Sequence, residues 1–60
     1  KAIENFTKAI EINPQLSLAY INRGLGKIEL NNKEAGCKDF AKAKELGNSR
    51  GAEMITKYCQ

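Results

Sequence analysis

The sequence contains no histidine and no tryptophan, and it has one proline and two cysteines. Without histidine, the side chain most often used for general acid–base catalysis is missing. A structural zinc site needs four ligands at close paired spacings, which two distant cysteines do not supply. No serine has a base beside it, and no glycine-rich segment has the form of a phosphate loop. We therefore expect neither an enzyme nor a bound cofactor or metal.

The two cysteines are too few to form a disulfide framework. Cys37 lies within a helical pattern, and we interpret it as a small buried apolar residue. Lysines near it could lower the pKa of its thiol, so a reactive cysteine is the alternative. Cys59 lies near the C-terminal end, where we expect a free thiol.

Long apolar runs are also missing. A helix needs about 20 apolar residues to cross a bilayer, and no run approaches that length. No stretch has the form of a signal peptide, so we expect no membrane insertion, and the compartment stays unassigned. Hydrophobic residues make up 42% of the chain and charged residues 28%, which is typical of a folded protein. Sixty residues form at most one small domain, with little core.

The net charge is +3, and the lysines alternate with acidic residues along the chain. This mixture is typical of solvated helix faces, whereas a nucleic-acid surface clusters its basic residues. A nucleic-acid-binding helical repeat nevertheless remains an alternative function. It is supported by the net charge and by Arg23, Lys27 and Arg50, which lie near the expected binding helices.

Apolar residues recur every three to four positions, and no segment alternates apolar and polar residues as a strand does. This pattern predicts an all-α fold of four helices with short connections. The predicted helices cover residues 1–13, 17–30, 33–46 and 49–59.

The ends of these helices carry recognisable residues. Pro14 ends the first helix, because proline lacks the N–H that a helix interior needs. Ser17 is the predicted N-cap of the second helix, and either Asn48 or Ser49 caps the fourth. Gly47 follows the third helix, where a left-handed residue is expected.

The chain repeats itself when it is shifted by 34 residues. The matching pairs are Phe6 and Phe40, Lys8 and Lys42, Ala9 and Ala43, Glu11 and Glu45, and Ile21 and Ile55. Thirty-four residues is the period of the tetratricopeptide repeat. Tyr20 and Gly24 match the aromatic and small residues of helix A in that family, and Gly36, Phe40 and Ala43 match the small–aromatic–small series of helix B.

The chain therefore resembles the tetratricopeptide repeat family over nearly its whole length. The resemblance implies a superhelical stack of antiparallel helix pairs. Residues 17–47 would form one complete repeat, residues 1–13 helix B of a preceding repeat, and residues 49–59 a C-terminal capping helix. Small residues at Gly24, Gly36 and Ala43 would let the backbones approach closely while Tyr20 and Phe40 fill the space between them.

Three basic residues depart from the family pattern, and one of them is Lys33, which stands where helix B often begins with tyrosine. Arg23 stands where leucine is common, and Lys27 stands where tyrosine is usual. These replacements would weaken the aromatic contact between helices A and B. The long side chains can still cover apolar surface with their stems.

The resemblance implies a protein-interaction scaffold whose A helices line a concave groove for a peptide or a partner helix. The residues expected to face this groove are Leu18, Ile21, Asn22, Leu25, Ile28 and Glu29. Alternatively, Leu25 and Ile28 only pack against the neighbouring helix. Asn22 also matches one residue of the clamp with which some members bind C-terminal carboxylates, but Ala52 and Thr56 stand where that clamp needs Lys and Arg. We do not expect chaperone binding.

The first helix corresponds to a helix B without its helix A, and the sequence does not begin with Met. We therefore expect the chain to be a piece of a longer repeat protein. The apolar face of this helix would lack its partner. We expect that face to promote self-association of the chain.

Overall fold

Four helices make up the structure, a computed structural model that describes residues 2–59. Lys1 and Gln60, the two ends of the predicted domain, lie outside the described residues. The helices are α1 (Ala2–Ile12), α2 (Ser17–Glu29), α3 (Lys33–Glu45) and α4 (Ser49–Tyr58). Within residues 2–59 there is no strand. The prediction of an all-α fold with four helices is therefore confirmed.

Short turns connect the helices, and their residues have the backbone angles and capping side chains that such turns need. Gly47 has a φ of 95°, and the N–H of Asn48 donates to the carbonyl of Ala43 at 3.1 Å, as in a left-handed helix ending. The Asn48 side chain accepts from the backbone N–H of Arg50 at 2.9 Å and so caps α4. Both expectations are confirmed. Asn31 ends α2 in the same left-handed way, with a φ of 63°.

The prediction that Ser17 caps α2 is wrong. The turn after Pro14 places Leu16 at the cap position, without a side-chain hydrogen bond, and Ser17 is the first helical residue. The N–H of Leu16 donates to the carbonyl of Asn13 at 3.1 Å, which fixes this turn. The Ser17 hydroxyl instead accepts from the Asn48 amide at 3.0 Å. This bond connects the start of α2 to the turn before α4.

Successive helices pack side by side in opposite directions. Ile3 near the start of α1 faces Gly26 near the end of α2, and Ile28 at the end of α2 faces Gly36 near the start of α3. The most extensive packing is between α2 and α3, followed by α3 with α4 and α1 with α2. The central helices α2 and α3 also contain most of the buried residues.

The core lies between α1, α2 and α3. Phe40 and Ile21 are its largest fully buried side chains, at 0% and 1% exposure. Other buried apolar residues surround them: Ile10, Ala19, Tyr20 and Ala43. Phe6, which matches Phe40 in the repeat, is only half-buried. The predicted filling of the helix interface by Tyr20 and Phe40 agrees with their burial.

Glycines allow α2 and α3 to approach closely, as the sequence predicts. A Cβ atom on Gly24 would lie 2.6 Å from the Phe40 ring and 2.9 Å from the Gly36 carbonyl oxygen. A Cβ atom on Gly36 would lie 2.8 Å from the Gly24 carbonyl oxygen. Any larger residue would push the helices apart. The cost of glycine in a helix, about 1 kcal/mol, is therefore offset by close packing.

The fourth helix approaches α3 through Gly51, which the sequence analysis did not identify. A Cβ atom there would lie 2.5 Å from the backbone nitrogen of Lys44 and 2.7 Å from the carbonyl oxygen of Phe40. Both neighbours are backbone atoms and cannot move aside alone. The start of α4 is thereby held against the second half of α3.

Cys37 and Cys59 form a disulfide, with Cα atoms 5.9 Å apart. The expectations of a buried thiol at Cys37 and a free thiol at Cys59 are therefore wrong. The physical reason is the direction of the helices. Because α4 runs back along α3, the residue after its last turn reaches the first half of α3.

Candidate interaction surface

A shallow apolar depression of about 220 Å³ lies between α1 and α2. It is lined by side chains of α1, of the turn after it and of the first half of α2: Phe6, Ala9, Leu16, Leu18, Ala19 and Asn22. Leu18 is 49% exposed and Leu16 is 39% exposed. Asn22 is the single polar residue of this lining. The surface is suited to burying apolar groups of a ligand, with one amide available for hydrogen bonds.

The structure brings together only two of the six residues predicted to face a groove. Leu18 and Asn22 both line the depression. Ile21 is 1% exposed and belongs to the core, so it offers no accessible surface to a partner. Glu29 is exposed at the end of α2.

Leu25 and Ile28 have contacts that fit the alternative interpretation, in which they pack within the chain. Leu25 is partly buried against the core cluster. The Ile28 side chain lies against Gly36, with Cδ1 and Cγ1 3.0 Å from the position of a Cβ there. Neither residue lines the depression.

Sequence reasoning missed Leu16, Phe6 and Ala9 as parts of one surface. Phe6 and Ala9 are predicted as repeat residues on the apolar face of the first helix, and Leu16 is not among the predicted groove residues. A signal was present, because Leu16 and Leu18 flank a predicted helix start. An apolar residue just before a helix often packs beside its first turn.

A charged cluster that is separate from the depression joins α1, α2 and α3. Arg23 donates to Asp39 through two nitrogens, Nε to Oδ2 at 2.9 Å and Nη2 to Oδ1 at 2.8 Å. Lys27 Nζ lies 3.2 Å from Oδ2 of the same carboxylate. Arg23 Nη1 also donates to the Thr7 hydroxyl at 3.3 Å. One guanidinium therefore bonds to side chains of two other helices.

This cluster is largely removed from solvent. The side chains of Arg23, Lys27 and Asp39 are 18%, 24% and 7% exposed. The hydrogen bond to Asp39 raises the pKa of Arg23 above its usual value, burial lowers it, and the nearby carboxylate charge raises it further. The Arg23 guanidinium also lies 5.5 Å from the centre of the Tyr20 ring. Two of the basic residues that depart from the repeat pattern, Arg23 and Lys27, thus share Asp39 as a partner within the fold.

The same cluster changes the argument for nucleic-acid binding. Arg23 and Lys27 were two of the three cations that supported it, and both pair with Asp39. Of the three cations, only Arg50 lies outside this cluster, and its side chain is exposed. The apolar depression is therefore the better candidate for a binding surface.

Metal and membrane sites receive no support from the described part of the chain. Among residues 2–59, no group of histidine, cysteine, aspartate or glutamate side chains could hold a metal ion. None of the helices described there has both the length and the apolar character to cross a membrane.

Comparisons with known proteins do not assign the chain to a family. It matches no protein-family model, no curated protein and no solved structure.

Proposed function

We propose that this chain is part of a tetratricopeptide-like stack and that it binds a peptide or partner helix rather than catalysing a reaction. The apolar depression between α1 and α2 carries this proposal, because Leu16 and Leu18 leave apolar surface open beside Phe6. The antiparallel packing of α2 on α3 through Gly24 and Gly36 supports the assignment to such a stack.

The internal repeat supports a helical occupant for this depression. Within the chain, α2 packs on α3, where Gly24 contacts Phe40. The 34-residue shift places Phe6 and Ala9 of α1 at the positions of Phe40 and Ala43 of α3. Phe6 and Ala9 both line the depression. A helix seated there would bury Phe6 as α2 buries Phe40.

A selection from a library of displayed helical peptides tests this proposal. Peptides that bind the chain are then measured by titration against two variants, Leu18→Glu and Leu30→Glu. We expect Leu18→Glu to weaken binding at least tenfold, because it places a charge in the apolar lining. Leu30 is 70% exposed and lies about 18 Å from Leu18 along the helix axis, so Leu30→Glu should change the affinity less than twofold. Equal affinities for both variants would contradict the proposal.

The same depression is expected to support weak self-association. Exposed apolar surface at Leu16 and Leu18 is buried when two chains meet. In sedimentation equilibrium, the average mass should rise with concentration for the unchanged chain and stay at the monomer value for Leu18→Glu. A monomer at every concentration would exclude this association and leave the peptide-binding proposal to its own test.

A further inference from the structure

The disulfide joins the first half of α3 to the residue after α4. Cys59 directly follows α4, and both cysteines are half-buried. The core cluster is built by residues of α1, α2 and α3, with Met54 as the one α4 residue that packs partly against it. The bond therefore fastens the end of α4 to α3 at a point outside this cluster.

Beyond the disulfide, α4 has contacts with α3 at both of its ends. At its start, Gly51 lies against the backbone of α3 and Asn48 caps the helix. At its end, the Tyr58 ring stacks near Phe40, with ring centres 6.1 Å apart. The helix has 10 residues, and an isolated helix of this length is not stable in water. The second half of α4 thus depends on the disulfide together with the packing of Met54, Ile55 and Tyr58, which are half-buried.

We propose that Cys37 and Cys59 form a redox switch that controls the position of the second half of α4. With the disulfide intact, Tyr58 stays over Phe40, which is fully buried. After reduction, the last turns of α4 leave α3 while Gly51 keeps the first turn in place. This opening uncovers the part of the Phe40 ring that faces Tyr58 as a second apolar surface, while Gly24 of α2 still covers another part of the ring.

The reductant is a low-molecular-weight thiol or a protein dithiol. One thiolate attacks Sγ of Cys59 and forms a mixed disulfide there, while the sulfur of Cys37 leaves as a thiolate that takes a proton from water. A second thiol resolves the mixed disulfide and releases the thiol of Cys59. The disulfide gains two electrons and two protons, and two external thiols become one external disulfide.

Amide hydrogen exchange on the whole chain tests this switch. The chain is compared with and without excess dithiothreitol at one pH, and exchange is followed residue by residue by NMR. We expect amides in the second half of α4 to exchange at least tenfold faster after reduction, and those of α2 and the first half of α3 to change less than twofold.

A double variant, Cys37→Ser with Cys59→Ser, separates the bond from other effects of the reductant. It should show the same fast exchange in α4 without reductant and no further change when reductant is added. Faster exchange across all four helices alike would mean that the disulfide only stabilises the whole fold. Unchanged exchange in α4 would mean that the other contacts hold it. Either result overturns the proposal.

Discussion

Phe40→Ala is expected to unfold a large fraction of the protein at 25 °C. The Phe40 side chain is 0% exposed and fills the space beside Gly24 and below Tyr58. Removing a buried phenylalanine ring costs about 3–5 kcal/mol. The core of so small a domain rarely supplies more than about 3–5 kcal/mol in total. Urea titration followed by circular dichroism should show a much lower midpoint or no folded baseline.

Phe6→Ala is the matched control for this prediction. Phe6 occupies the equivalent repeat position in α1, but its ring is half-buried beside the open depression. Removing it exposes less new apolar surface and leaves no enclosed cavity, so the free energy of unfolding should fall less than for Phe40→Ala. Similar losses for the two variants would show that Phe40 is not the centre of the core.

The close packing of α2 on α3 was the part of the fold most accessible to sequence reasoning. Gly24 and Gly36 are small residues in helices that are otherwise amphipathic, and Phe40 lies one turn from Gly36. Glycine is unfavourable inside a helix, so two glycines there indicate a requirement for space. Helix periodicity and a fixed repeat length are visible in the order of the residues alone. Neither requires knowledge of which helices contact each other, so both were accessible from the sequence.

The disulfide and the charged cluster depend on how helices face each other, which local patterns do not show. Asp39 occupies a core position between Gly36 and Phe40, where a carboxylate is expected only with a partner. Arg23 and Lys27 lie one turn apart on α2, and the antiparallel pairing brings both to Asp39. The information was present in the sequence, but the register between α2 and α3 was needed to use it.

The candidate surface was predicted less well than the fold. Leu18 and Asn22 line the depression, whereas Ile21, on the same predicted helix stripe, is buried in the core. Residues spaced three to four positions apart form a stripe that is wider than the part of the helix that one neighbouring surface contacts. Which edge of that stripe faces solvent depends on the tilt of α1 across α2, and the sequence pattern does not contain that angle.

Asp39→Ala is expected to lower the free energy of unfolding by about 3 kcal/mol. Loss of one member of a buried ion pair typically costs about 3–5 kcal/mol, because the remaining charge stays buried without its partner. Here Arg23 and Lys27 both lose their carboxylate, and their side chains are 18% and 24% exposed. Water can reach them in part, so we expect the lower end of that range. Urea titration measures the loss directly.

Two further variants identify the origin of this loss. Glu45 lies on the same helix and pairs with Lys42 at 2.9 Å, but both side chains are well exposed. Glu45→Ala should therefore leave the urea midpoint nearly unchanged.

A triple variant with Arg23→Met, Lys27→Met and Asp39→Leu should be close to the unchanged chain in stability, since well-packed apolar residues often replace a buried ion cluster without loss. If that variant is as unstable as Asp39→Ala, the charges themselves stabilise the contact of α1, α2 and α3. If Asp39→Ala is as stable as Glu45→Ala, the cluster is solvated enough to be dispensable.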